Sequence, residues 1–137
     1  MWQGRFKAFP IQEDEHLLTV LRYIECNPLR AGLVKRAEDW RWSSLPNWLT
    51  PPLMPFLDPG PVPRPPQWLE HVNMPLQEKD LKRLRWSVRR GTPFGGIDWI
   101  KTTAVQLGLE DTLRPPGRPR KSGQPDDSAS SPPTLFT

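Results

Sequence analysis

The sequence predicts an α+β fold: a short strand and an amphipathic helix, then a proline-rich linker, a small helical module and a basic tail. Three observations predict it. Charged and aromatic residues alternate near the start, apolar residues then recur at three- and four-residue steps, and that helical period returns beyond a run of prolines. A chain of 137 residues allows one small domain with at most an appended module.

The strand is expected over residues 4–11, where Arg5, Phe6, Lys7, Phe9 and Ile11 alternate before a turn at Gln12, Glu13 and Asp14. Asp14 is a helix cap by type, because its carboxylate can accept the orphan N–H groups of a first turn. Leu17, Leu18, Val20, Leu21 and Ile24 carry the amphipathic period to about Cys26, where Pro28 disfavours a helical Asn27. Trp40 and Trp42 follow and are expected to close a small core against this helix.

Residues 1–50 form the first unit in this reading, and residues 51–74 a linker whose prolines forbid regular ladders. Residues 75–112 are the helical module. One helix runs from Glu78 to Arg90 with Leu81, Leu84 and Val88 on its apolar stripe, and Gly91 stops it. A second runs from Ile97 to Leu107 and ends at Gly108; two helices about a glycine-containing turn resemble a helix-turn-helix. Residues 113–137 hold a basic segment, and beyond Ser122 the composition predicts disorder.

Composition narrows the function classes. The apolar share is 36% and there are 19 prolines, so part of the chain stays outside any core. A net charge of +4 favours an anionic partner. The one cysteine, Cys26, excludes a disulfide framework and a thiolate-rich metal site. No apolar run is long enough for a membrane span, and no signal peptide is visible, so a cytoplasmic, nucleoid-associated location is expected.

Tyr23 is the only tyrosine, and its neighbours suggest phosphate chemistry. Asn27 lies one helical turn on, on the same face, and His16 lies two turns back. Arg22 and Arg30 bring cations to which a phosphate could dock. A phenol titrates near 10, so as a nucleophile it needs a base, a metal or nearby cations. The sequence offers cations and an amide, and no evident base.

Several segments resemble one family in order. Residues 2–6, Arg22-Tyr23-Ile24 with Asn27-Pro28, Arg30-Ala31-Gly32-Leu33-Val34 and Trp42-Ser43-Ser44 resemble the second half of the catalytic domain of REP-associated tyrosine transposases, single-strand DNA nucleases of the HUH group. Arg90-Gly91-Thr92-Pro93-Phe94-Gly95, Trp99, Leu107-Gly108-Leu109-Glu110 and Thr112-Leu113-Arg114, on through Lys121, are similar to the family's carboxy-terminal region. The resemblance implies a remnant of a ferredoxin-like antiparallel-sheet domain. It implies single-strand DNA cleavage and rejoining in DNA transposition, with Tyr23 as nucleophile through a 5′-phosphotyrosine link. It also implies Mg²⁺ or Mn²⁺ as cofactor in the intact family, with Asn27 where an amide can help hold the metal, and DNA hairpins with flanking single strand as partners.

One departure matters. The family's metal ligands are two histidines separated by one bulky hydrophobe, whereas this chain has only His16 and His71. A lone imidazole does not replace a converging pair. The chain is therefore expected to bind no such metal and cleave no DNA alone, as a fragment, a degraded copy or the product of a start assigned too late. Without the other strands, residues 2–50 should be marginally stable or dimerise.

The remaining DNA-binding candidates are Arg89 and Arg90 on the second helix, then Arg114, Arg118, Arg120 and Lys121. Gly117-Arg118-Pro119 resembles the core of an AT-hook, with Pro116 where arginine is usual; a solvated basic linker is the equal alternative. Two further readings stay open: an enzyme whose histidines come from a partner subunit, and a non-catalytic interaction protein using the prolines of residues 61–66.

Overall fold

The computed structural model describes residues 7–49, 57–115 and 117. Its elements are α1 (Glu15–Glu25), α2 (Asn27–Arg30), a 3-10 turn (Ala37–Asp39), α3 (Leu45–Leu49), α4 (Trp68–Asn73), α5 (Glu78–Arg90), α6 (Ile97–Leu107) and α7 (Glu110–Leu113). The expected α+β class is thereby corrected. Among the described residues the molecule is helical and has no sheet, so a ferredoxin-like antiparallel remnant is not its architecture.

The reason lies in what the strand meets. Residues 4–6 fall outside the described residues, and residues 7–10 join no ladder. Ile11 makes one isolated parallel bridge to Phe94, where Gln12 N–H donates to the Phe94 carbonyl (3.0 Å) and Phe94 N–H to that of Pro10 (2.9 Å). The segment around Phe94 cannot extend the pairing, because Pro93 has no N–H and α5 and α6 bracket it closely. A lone alternating segment supplies the donors of a sheet without a second strand to accept them.

Helix α1 forms as its sequence predicts. The Asp14 carboxylate accepts the His16 N–H (2.8 Å), and Cys26 breaks the helix before Pro28 sits in the first turn of α2. At about 100° per residue, Leu18, Leu21 and Glu25 lie on one side and His16, Val20 and Tyr23 on the other. Both sides are used. Leu18 and Leu21 pack on a cluster of Cys26, Ala37, Leu45, Trp68 and Val72; Val20 joins Leu84 and Phe94, with Phe9, Ile11 and Tyr23 against them. Each cluster joins residues before position 50 to residues from Trp68 onward.

The proline-rich stretch is not wholly extended. Residues 51–56 lie outside the description, but α4 falls within 51–74 and buries Trp68 and Val72. Trp68 takes the closing role expected of Trp42, which is 71% exposed and covered by Arg41, its guanidinium 4.2 Å from the ring centroid. Polar groups complete this core. The buried Glu25 carboxylate accepts from Ser44 Oγ and Trp68 Nε1 (both 2.7 Å), and Arg64 stands 3.5 Å away between the Trp48 and Trp68 rings.

Helices α5 and α6 have the predicted bounds, ending at Gly91 (φ 73°) and Gly108 (φ 65°), left-handed positions that glycine takes without a Cβ clash. The apolar stripe of α5 is rotated from expectation: Leu81, Leu84 and Ser87 are buried, while Val88 is 42% exposed. Gly95 permits a close approach, since a Cβ there would lie 2.5 Å from the Trp99 ring and 2.7 Å from Gln12 Oε1.

Candidate functional site

The side chains expected around the tyrosine separate into two groups. Tyr23 is half-buried, its ring set on the Val20, Leu84 and Phe94 cluster. The Arg30 guanidinium stands 5.2 Å from the ring centroid, and Arg30 Nη1 makes a long bond to Asn27 Oδ1 (3.4 Å). Tyr23, Asn27 and Arg30 therefore meet at the junction of α1 and α2, where Asn27 and Arg30 are exposed. Arg22 turns elsewhere, its Nη2 donating to the carbonyls of Met74 (2.9 Å) and Pro75 (3.2 Å), which fixes the start of α5 against α1.

Neither histidine joins this group. His16 Nδ1 lies 2.7 Å from the Asp14 carboxylate, and its ring meets Phe94 edge-on. Burial pushes the Asp14 carboxyl up, but the His16 backbone and ring bonds outweigh it and hold the group below its ordinary value. Asp14, Glu15 and His16 could converge on an ion, yet the Asp14 carboxylate already caps α1 and pairs with the His16 ring. Burial pushes the Cys26 thiol up, against the pull of Arg30 and Arg22, which leaves it no reactive thiolate.

Among the described residues that meet Tyr23, a divalent ion would find the amide of Asn27 and, in Arg30, a repelling cation. These residues do not fit Mg²⁺ or Mn²⁺.

The helical module carries the larger concentration of charge. On α5, Lys79, Lys82, Arg83, Arg85 and Arg89 are exposed. Arg83 is engaged, donating to the Gly95 carbonyl (2.9 Å) and lying over the Phe94 ring. Lys79, Lys82, Arg85 and Arg89 form no ion pair among the described residues. Arg90 instead donates through Nη2 to the carbonyls of Asp111 (3.3 Å) and Arg114 (3.0 Å), docking α7. Arg114 pairs with Asp111 at 3.1 Å on the surface. Arg118, Arg120 and Lys121, with the AT-hook-like segment, lie outside the described residues.

Sequence reasoning passed over Trp86. Its ring is flanked by the guanidinium groups of Arg89 (5.6 Å) and Arg90 (5.5 Å), and it borders two surface hollows of about 320 Å³ each. The available signal was one aromatic residue among cations at Lys82, Arg85 and Arg89, four before, one before and three after it. No family model, curated protein or solved structure matches this chain. Among the described residues no helix is long and apolar enough to cross a membrane.

Proposed function

We propose that this chain binds DNA as part of a REP-associated tyrosine transposase and does not cleave it alone. The observation that carries the DNA-binding half is the outward face of α5, where Lys79, Lys82, Arg85 and Arg89 stand without ion-pair partners among the described residues. Exposed cations that no acid neutralises are free to displace the counterions of a phosphate backbone. The transposase half rests on the ordered resemblance of residues 2–121 and on Tyr23, Asn27 and Arg30 meeting at one helix junction. In that reading Tyr23 is the nucleophile and Arg30 the cation nearest the scissile phosphate. No step through a metal follows from the donor set present.

The test is binding of a labelled DNA hairpin with a single-stranded flank, followed by gel shift at rising salt. The expected result is a complex that weakens steeply with salt, and no covalent adduct with Mg²⁺ or Mn²⁺. Failure to bind the hairpin at low salt would remove the proposal. An adduct that is lost in Tyr23→Phe would replace it with the enzyme whose histidines come from a partner subunit.

A further inference from the structure

Residues 7–12 carry a strand edge that the described residues leave open. The bridge at Ile11 uses the Pro10 carbonyl and the Gln12 N–H, so the even-numbered residues turn their backbone toward Phe94. The Ala8 carbonyl turns toward the end of α5 as well, 3.6 Å from where a Cβ on Gly91 would lie. In extended backbone, successive residues present their N–H and C=O to opposite edges. Lys7, Phe9 and Ile11 therefore face away from Phe94, and none of their backbone groups is hydrogen-bonded among the described residues. Phe9 and Ile11 lay their side chains on the Val20, Leu84 and Phe94 cluster, which holds that edge in place.

An open edge of this kind is a template for another chain, and monomeric proteins blunt it with proline, inward charges or a bulge. Pro10 does not blunt this one. Its missing N–H falls on the Phe94 side, where it removes a donor from the inner edge only. The three outward residues are spaced evenly about Phe9, so the edge complements itself. In an antiparallel pair centred on Phe9, each Phe9 meets its twin and each Lys7 meets the other copy's Ile11. Every such facing pair exchanges two N–H···O bonds. Charge selects the same direction. Lys7 and Glu13 are exposed at opposite ends of the segment, so antiparallel copies bring unlike ends together, whereas parallel copies set Lys7 on Lys7. We infer that the outward edge of residues 7–11 is a homodimerisation site, occupied by the same edge of a second copy about a two-fold axis at Phe9. The inference is independent of the DNA-binding reading above, since no cation of α5 takes part.

The test uses the full chain, made by joining a synthetic segment of residues 1–25 to residues 26–137 at Cys26, its one cysteine, and folding the product. A two-stranded ribbon is marginal in water, so half-association is expected only at about 0.1–1 mM by sedimentation equilibrium. Over that range the amide protons of Lys7, Phe9 and Ile11 should slow in hydrogen exchange, and that of Ala8 should not. This result needs no variant. A backbone N-methyl group at Phe9 keeps the side chain but removes the central donor from both copies, and should weaken association about tenfold or more. N-methylation at Ala8 falls on the inner edge and should leave association unchanged. A chain still monomeric at about 2 mM would overturn the inference. Dimers that survive N-methylation at Phe9 would overturn it too, because the contact would then lie elsewhere. Protection of the same three amides in the dilute monomer would mean that a segment of this chain covers the edge, and would remove the second copy as its occupant. None of these outcomes bears on DNA binding, which the hairpin gel shift tests separately.

Discussion

Two sets of cations in this molecule, one around α1 and one on α5, differ in employment. Around α1, Arg22 and Arg64 point inward, one onto two backbone carbonyls and the other between two indoles beside a buried carboxylate. On α5, Lys82, Arg85 and Arg89 are exposed and form no ion pair among the described residues. Arginine serves both ends because its planar fork satisfies carbonyls and phosphates alike. A basic residue near a candidate site is therefore a binding group only if the fold has not already used its donors.

The largest expected effect lies in the inward set. Glu25 is 1% exposed and the Arg64 side chain 12%, so Glu25→Ala leaves a buried cation and a buried indole N–H without their acceptor. It should lower unfolding stability by about 3–5 kcal/mol in urea denaturation. Arg22→Met removes two charge-assisted bonds at a partly exposed site, for which a loss of about 1–2 kcal/mol is expected. Were Arg22→Met neutral in stability, the division between the two regions would fail there. The outward set should behave oppositely. Lys82→Gln or Arg85→Gln should change stability by less than about 0.5 kcal/mol, and the effect should appear only in salt-dependent DNA binding.

The smallest effect is on pH dependence. Burial, assisted by the charge of Arg22, lowers the His71 imidazole below its ordinary 6.5. A depressed folded value means that stability is fully present above the unfolded value and is lost as pH falls through the folded one. Glu38 follows in more acidic solution. Burial pushes its carboxyl up, but bonds from Asn73, its own backbone and Arg36 hold it below its ordinary value, so its contribution also disappears on acidification. Thermal melts between pH 7 and 5 should show a shallower decline in His71→Asn than in the parent chain, and no difference above pH 7.

Legibility in the sequence followed the range of the interactions involved. The bounds of α1, α5 and α6 could be read because Asp14, Gly91 and Gly108 mark them locally. The strand at Ile11 could not be judged alone, since alternation shows a willingness to pair and the partner at Phe94 offers only one bridge. Helix α4 was hidden by the prolines before it, although Trp68, Leu69 and Val72 already stood at helical spacing. The rotation of the α5 stripe from Val88 to Ser87 depends on where α1 and Phe94 come to rest, which the period of one helix does not contain. At the site, helical spacing placed Asn27 on the face of Tyr23, whereas Arg30 reaches the ring from the separate helix α2 and the carbonyls that take Arg22 and Arg90 lie many residues away.

Helix α1 is a shared wall, with one apolar cluster on each flank. A wall common to two rooms cannot be removed with either. The halves on the two sides of the proline-rich stretch are thus not separable by cutting between them: a protease that opened that stretch would yield pieces still clasped in solution, and separate expression of residues 75–137 would leave Leu84 and Phe94 facing water. Any exchange of the carboxy-terminal helices between related chains must carry the matching α1 with it.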